Sequence, residues 1–297
     1  MPCFHPLQAY QNREFREISF NPKYHGYWDH LKLPCGQCIG CRLERSRQWA
    51  MRCVHEAQLY KNNCFITLTF DDDHLPENGS VDVRDFQLFM KKLRKKYGEG
   101  IRFFHCGEYG EQFGRPHYHA CLFNHDFSDR VLWKVNNGVR LYRSASLEKL
   151  WTYGYSSVGD VTFESAAYVA RYIMKKITGD AADEHYQYLN PVTGELHRRA
   201  PEYTTMSRRP GLGRGWLDKY VSDVYPHDRV VIRGKEMKPP KFYDNQYELL
   251  NPFEMEHIKF LREQNALKHV DNSTPERLAV REQVTLAKLA RLKRTLT

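Results

Sequence analysis

The chain has 297 residues, of which 41% are apolar and 27% charged, with a mean hydropathy of −0.70. That length allows one large domain or a domain with appendages, and no stretch approaches a membrane span. Lys and Arg number 45 against 36 Asp and Glu, giving a net charge of +9 and a pI near 9.0, so attraction to phosphate and strong salt dependence are expected. Met1-Pro2-Cys3-Phe4-His5 lacks the basic start and apolar run of a secretory signal, which points to a reducing cytoplasm.

In chain order, the first feature is a cysteine cluster. Cys35, Cys38 and Cys41 form a CxxCxxC run, and Cys3 lies near the start. Spacing this close suits ligands around one soft ion better than a disulfide framework. The expectation is a structural zinc held by Cys3, Cys35, Cys38 and Cys41, with His5 or His30 as an alternative to Cys3. Free structural thiols and part of an iron–sulfur ligand run stay open. Trp49, Cys53, Val54, Ala57 and Tyr60 then mark the apolar face of a helix. Cys53, Cys64, Cys106 and Cys121 lie on apolar faces and are expected to be buried packing residues.

Residues 64–70 read as a strand. Phe86, Phe89, Met90, Leu93 and Tyr97 predict a buried helical stripe, with Asp82 as N-cap and Gly98 as stop. The cations ending that helix, Lys92 and Lys95 among them, suit DNA contact or simply the negative end of the helix dipole. Strands over 101–106 and 116–123 follow, separated by Gly107, Gly110 and Gly114. Pro116 favours extended backbone, and His117 and His119, two residues apart, share one face of the second strand. A hairpin through the glycines would bring Glu108, just past the end of the first run, beside them; Glu111 is the fallback. Two imidazoles and a carboxylate leave open positions on a divalent ion, although a His-x-His pair on a strand is also compatible with ordinary packing.

Val169, Ile173 and Ile177 predict an amphipathic helix over 165–177. On it Tyr168 and Tyr172 are one turn apart, with Lys175 and Lys176 continuing the same flank. Paired aromatics at this spacing often serve core packing, while the adjoining lysines argue for a partly wet surface. Residues 178–200 read as a loop or small hairpin. Arg198-Arg199 and Ser207-Arg208-Arg209, among Tyr203, Trp216 and Tyr220, suit single-stranded nucleic acid or a packed surface. Residues 226–252 look irregular, and the tail beyond them helical, with Ser273-Thr274-Pro275-Glu276 starting its last helix. The candidate DNA-contacting cations are Lys92, Lys95, Arg115, Arg171, Arg208 and Arg209. The fold class is α/β of the α+β type: a Cys-rich segment over 1–41, a core over 42–225 built on an antiparallel sheet flanked by helices, and an extended linker with helices over 226–297.

His117-Tyr118-His119 after Gly-Arg-Pro, with Tyr168-x-x-x-Tyr172-x-x-Lys175-Lys176 downstream, resembles the His-hydrophobe-His (HUH) endonucleases that start rolling-circle replication. The Pro34–Arg42 run, Phe65-Ile66-Thr67-Leu68-Thr69-Phe70 and Ser207-Arg208-Arg209-Pro210-Gly211-Leu212-Gly213 extend the likeness to the replication initiators of microviruses, the gokushovirus branch above all. The resemblance covers most of residues 1 to about 225. It implies nicking and joining of single-stranded DNA at a viral origin through a 5′-phosphotyrosine on Tyr168 or Tyr172. Mg²⁺ or Mn²⁺ would be held by His117, His119 and Glu108, with Lys175 or Lys176 offsetting charge on the reacting oxygens. It further implies a host polymerase and helicase as partners, no membrane, and the cytoplasm of an infected bacterium. Two other classes compete. A non-catalytic zinc-stabilised DNA-binding protein leaves the tyrosines and histidines unexplained, and a metal-dependent oxygenase or hydrolase leaves the tyrosines and basic surface unexplained. Relaxases and transposases share the nuclease site, and only the flanking motifs separate them.

Overall fold

The structure is a computed structural model, and it describes residues 3–12, 14–15, 17–21, 23, 28–110, 114–136, 138–171, 181–190 and 193–291. In chain order the elements are β1 (Leu7–Gln11), β2 (Ile18–Ser19), β3 (Asp29–Leu33), α1 (Ile39–Ala57), β4 (Asn63–Phe70), α2 (Val83–Tyr97), β5 (Arg102–Tyr109), β6 (Pro116–Phe123), β7 (Arg130–Asn136) and β8 (Val139–Ser144). They continue with α3 (Ala145–Glu148), β9 (Gly154–Gly159), α4 (Phe163–Arg171), α5 (Ala181–His185), β10 (Gln187–Leu189), β11 (Leu196–Arg198), β12 (Tyr203–Met206), α6 (Arg214–Val224), β13 (Val230–Ile232), β14 (Lys235–Met237), α7 (Lys241–Leu250), α8 (Pro252–Leu267) and α9 (Pro275–Ala290). Two compact units divide the chain: Ser46–Met255, and Met1–Arg45 together with Glu256–Lys293.

The larger unit is built on a seven-stranded sheet in the order β12-β5-β6-β4-β9-β8-β7, antiparallel at every pairing. Its central strands are buried at most positions, polar ones included, as expected where both faces are covered. One face carries Ile66, Leu68, Tyr118, Ala120 and Leu122 and packs against Phe86, Phe89, Met90 and Leu93 of α2. Each Leu, Ile, Phe or Met among them, fully buried, contributes about 1.5–3 kcal/mol. The Asp82 carboxylate accepts from the Arg84 N–H and Gly98 closes the helix, as the sequence predicts. Tyr97 departs from the predicted stripe: it is the last residue of the helix and is 40% exposed.

The other face carries Phe65, Phe104, Cys106, Cys121 and Phe123 and packs against Ala50 and Cys53 of α1 and Ala166, Val169 and Ala170 of α4. Cys53, Cys64, Cys106 and Cys121 are all buried thiols, matching the sequence expectation. Tyr60 falls past the end of α1, so it does not extend that helix's stripe.

Two expectations need correction. Residues 226–252 are regular: β13 and β14 pair as a hairpin, and α7 buries Tyr243 and Tyr247. Its one-sided apolar pattern is spread over aromatic residues among polar ones, which hides it in a linear reading. Glu108 is not past the end of its strand but inside β5, which extends to Tyr109. The 178–200 segment contains α5 and the β10–β11 hairpin.

In the smaller unit, β1 pairs on both sides with β2 and β3. The last helix starts where predicted: the Thr274 hydroxyl accepts from the Arg277 N–H and Pro275 occupies the first turn.

Candidate active site

Strand register assembles the site on the α1/α4 face of the large sheet. Glu108 on β5 stands opposite His117 on β6, and His117 stands opposite Thr69 on β4. One step along, Cys106, His119 and Thr67 form the next row. Because side chains alternate, all of these point to one face.

The geometry is specific. The Thr67 hydroxyl lies 3.0 Å from Nδ1 of His119, and the Thr69 hydroxyl 2.9 Å from Nδ1 of His117. A hydroxyl both donates and accepts, so it holds a ring of either tautomer and leaves Nε2 as the outward nitrogen. His119 Nε2 donates to Glu108 Oε1 at 2.7 Å, with both side chains 2% exposed. The Tyr168 hydroxyl reaches the same carboxylate oxygen at 3.4 Å. Tyr168 is held there by edge-on contacts with His119, 5.1 Å between ring centroids, and with Phe65.

α4 sits close enough for this because its sheet-facing positions are Ala166, Val169 and Ala170. Thr162 and Ser165 start the helix by accepting each other's backbone N–H. Gly110 makes room on the other side: a Cβ there would lie 2.6 Å from His117 Nε2.

The structure thus brings together His119, Glu108 and Tyr168, with His117 two residues along the same face. Glu111, Tyr172, Lys175 and Lys176 lie outside the described residues. Thr67 and Thr69 were not singled out as site residues from sequence; their alternation in a strand, in step with His117 and His119, is the signal that could have found them.

Comparison with known proteins follows the same segment. The model of the family described as replication-associated protein ORF2/G2P matches residues 63–177, which run from β4 through the site to the α4 region. Replication-associated protein VP4 of Bdellovibrio phage phiMH2K is 32% identical over 263 residues, covering 85% of this chain and 79% of the relative. Replication-associated protein ORF2 of Spiroplasma virus 4 is 31% identical over 292 residues, covering 90% and 87%. The chain belongs to the phage replication-associated proteins. Replication-associated protein ORF4 of Chlamydia phage 1 is 31% identical over 245 residues, but this chain spans only 58% of its length. No solved structure matches. The resemblance to microvirus replication proteins read from the sequence is borne out.

In this replication-associated protein the remaining candidate residues fall in different places. Arg115 donates to the Phe70 carbonyl and pairs with Asp72, bracing the loop after β4. Arg171 ends α4 with its guanidinium 5.9 Å from the Tyr168 ring. Arg208 and Arg209 are exposed in the turn after β12. Lys92 and Lys95 belong to α2, which covers the opposite face of the sheet. The aromatics around 198–220 are engaged in packing: Trp216 stacks on His55 at 3.6 Å, Arg199 lies between the rings of Tyr188 and Tyr109, and Arg198 pairs with Asp183.

The four N-terminal cysteines form a second site, in the smaller unit. Their sulfurs all lie within 4.8 Å of one another, the only such group among the described residues. Cys3 to Cys35 is 3.7 Å, and Cys35 to Cys41 and Cys38 to Cys3 are each 4.0 Å. A tetrahedral ion with sulfur bonds of about 2.3 Å has edges of about 3.8 Å, so the cluster could hold one. The backbone N–H of Phe4 donates to Cys38, that of Cys35 to Cys3 and that of Cys38 to Cys35. Burial raises the Cys38 thiol, but the N–H groups of Phe4 and Cys41 outweigh it and bring Cys38 down to about 6. Gly36, with φ of +75°, takes the left-handed turn between Cys35 and Cys38.

Proposed function

We propose that this protein starts rolling-circle replication by nicking and rejoining single-stranded DNA at a viral origin, using residues 42–225 as an HUH-type nuclease. The observation that carries the proposal is the contact chain Tyr168–Glu108–His119: a phenol oxygen 3.4 Å from a carboxylate that is itself 2.7 Å from an imidazole. Tyr168 is buried, and any buried phenol needs a partner for its hydroxyl; what supports the nuclease reading is that this partner is the carboxylate grouped with His119 and on one face with His117, where a nucleophile would stand beside the groups that grip its phosphate.

The donor chemistry fits a divalent cation. Two imidazoles, each with Nδ1 engaged by a threonine, and a carboxylate make a mixed set suited to Mn²⁺ or Mg²⁺, with His117, His119 and Glu108 as ligands. The ion would polarise the scissile phosphate. Tyr168, or Tyr172 four residues on in sequence, attacks the phosphorus through its phenol oxygen. The P–O3′ bond breaks, the 3′ oxygen takes up a proton and the phenol gives one up, leaving a 5′-phosphotyrosine and a 3′-hydroxyl primer. Lys175 and Lys176, seven and eight residues after Tyr168 in sequence, are the cations assigned to offset charge on the phosphate oxygens. One ester is exchanged for another, so rejoining needs no nucleotide triphosphate. With two tyrosines, the second cleaves the regenerated origin while the first still holds the strand. The 3′-hydroxyl primer is for a host polymerase, and duplex opening falls to a host helicase.

The test is a covalent adduct. Protein incubated with end-labelled single-stranded DNA tiled from its own genome, with Mn²⁺ and then with EDTA, should become attached to the downstream fragment only when the metal is present. Tyr168→Phe or Tyr172→Phe should retain part of the attachment and the double variant none. Folded protein that binds the tiles without ever becoming attached would favour a non-catalytic DNA-binding role.

A further inference from the structure

The row of residues that builds the site does not stop at Thr69. Thr69 also faces Tyr155 on β9, so Glu108, His117, Thr69 and Tyr155 form one line straight across four strands. Neighbouring strands are about 4.8 Å apart, which puts the Tyr155 backbone about 10 Å from that of His117, on the same face. Glu108 is buried at one end of this line; Tyr155, at the other, is 61% exposed.

The same face continues outward. Tyr142 faces Val158, so the antiparallel register sets Arg143 beside Ser157, which itself faces Thr67 of the site. Arg143 in turn faces Val131 on the edge strand β7. A bulge after Leu132 gives β7 an extra residue, Trp133, half exposed, which lies between two cations: Lys134 Nζ is 4.5 Å and Arg143 Cζ 5.7 Å from its ring centroid. Helix α4 packs on β5 and β6, and among the described residues none from β7, β8 or β9 joins the core under α1 and α4. The site end of this face is roofed by α4; farther out Leu141 and Gly159 on the same face are still buried, while Tyr155, Trp133 and Lys134 are exposed.

An exposed aromatic in line with the metal ligands, followed by a second one between cations, has the composition of a single-strand surface: rings for bases, cations for phosphates. We infer that the exposed side chains along this face, Tyr155 and then Trp133, Lys134 and Arg143, mark the track along which single-stranded DNA leaves the nuclease site, with Tyr155 stacking a base near the scissile phosphate and the other three holding the strand farther out. Arg143 is also paired with Glu148 at 2.6 Å, half exposed on both sides, and that carboxylate orients the guanidinium without burying it. The inference rests on the nuclease reading for its direction, and on register, exposure and charge for its location. Apolar Val131, Leu132 and Val135 on the same edge strand offer a rival use, pairing with a second copy of the chain.

Binding and cleavage separate the two readings. Fluorescence anisotropy of a labelled pyrimidine oligonucleotide in EDTA measures affinity without cleavage. Tyr155→Ala and Trp133→Ala should each weaken binding about fivefold to a hundredfold, the range of one base–aromatic stack, while Tyr155→Phe stays near the parent. Lys134→Ala should lower the slope of log affinity against log salt by about 0.7, as for one phosphate contact. A bromouracil-substituted oligonucleotide irradiated in the complex should crosslink to Tyr155 or Trp133. These residues are exposed, so circular dichroism should show every variant folded. Unchanged affinity and salt slope, with crosslinks elsewhere, would overturn the track even if the phosphotyrosine adduct forms. A Trp133→Ala effect on the sedimentation mass but not on DNA binding would assign the edge to self-association and overturn it as well. Loss of affinity in a protein that never forms an adduct would leave the track standing and remove the nuclease.

Discussion

Thr69 stands directly across from His117, and its hydroxyl meets the imidazole at Nδ1, 2.9 Å away. Thr67 does the same for His119 at 3.0 Å. Each hydroxyl fixes a ring that must otherwise choose its own orientation. Replacing either by Val preserves shape and strand propensity and removes only the hydrogen bond. Thr67→Val and Thr69→Val should each lower metal affinity, and with it the rate of adduct formation, by about 10- to 100-fold. Titrating Mn²⁺ in the cleavage assay checks this: the variants should need more metal, and equal half-saturation in variant and parent would rule the role out.

Gly110 predicts a different kind of defect. A methyl group there would sit 2.6 Å from His117 Nε2 and push the ring off its place. Gly110→Ala should reduce cleavage by roughly 100-fold, the scale for a misplacement of about 1 Å, with a much smaller change in melting temperature. Comparing single-turnover rates with thermal melts decides it; equal losses in both would mean that the turn itself, and not the ring, was disturbed.

His55 makes the fold acid-sensitive. It is 1% exposed, stacked on Trp216 and hydrogen-bonded through Nδ1 to the Tyr243 hydroxyl, and burial pulls it down to about 3. An unfolded chain would protonate it near 6.5, so between those values the unfolded state binds the extra proton. The stabilisation is therefore complete above pH 6.5 and is lost as pH falls toward 3. At full slope this one group contributes about 1.4 kcal/mol per pH unit. Urea denaturation at pH 7, 6, 5 and 4 should show the trend, and His55→Gln should flatten it. A parallel curve for the variant would count against the assignment.

Zinc held by the four N-terminal cysteines would support stability before activity. Purified protein should carry one zinc per chain by elemental analysis, and Cys38→Ser should lower that content. Chelation that removes about 2 kcal/mol would appear as a fall of roughly 4–8 °C in melting temperature. Zinc-free protein with an unchanged melt would leave the cysteines as packing thiols.

Much of this was legible in the chain. Strand and helix periods located β4, α2, β5, β6 and the start of α4, because a two-residue or four-residue repeat is imposed locally by backbone geometry. The same periodicity put His117 and His119 on one face and Tyr168 on a helix, and the cysteine spacing marked a candidate ion site. What no local pattern carries is register. Glu108 meets His117 only because β5 runs on to Tyr109, and Tyr155, with 46 residues separating it from Glu108 in sequence, joins the same line only because β9 pairs with β4 at Thr69. Helix α7 was missed for a related reason: its Tyr243 is fixed by His55, distant in sequence, which a window of a dozen residues cannot contain. Residue chemistry and spacing were thus settled by the sequence alone. Which of those residues stand side by side was decided by long-range strand pairing and burial, whose free energy depends on the whole sheet being assembled at once.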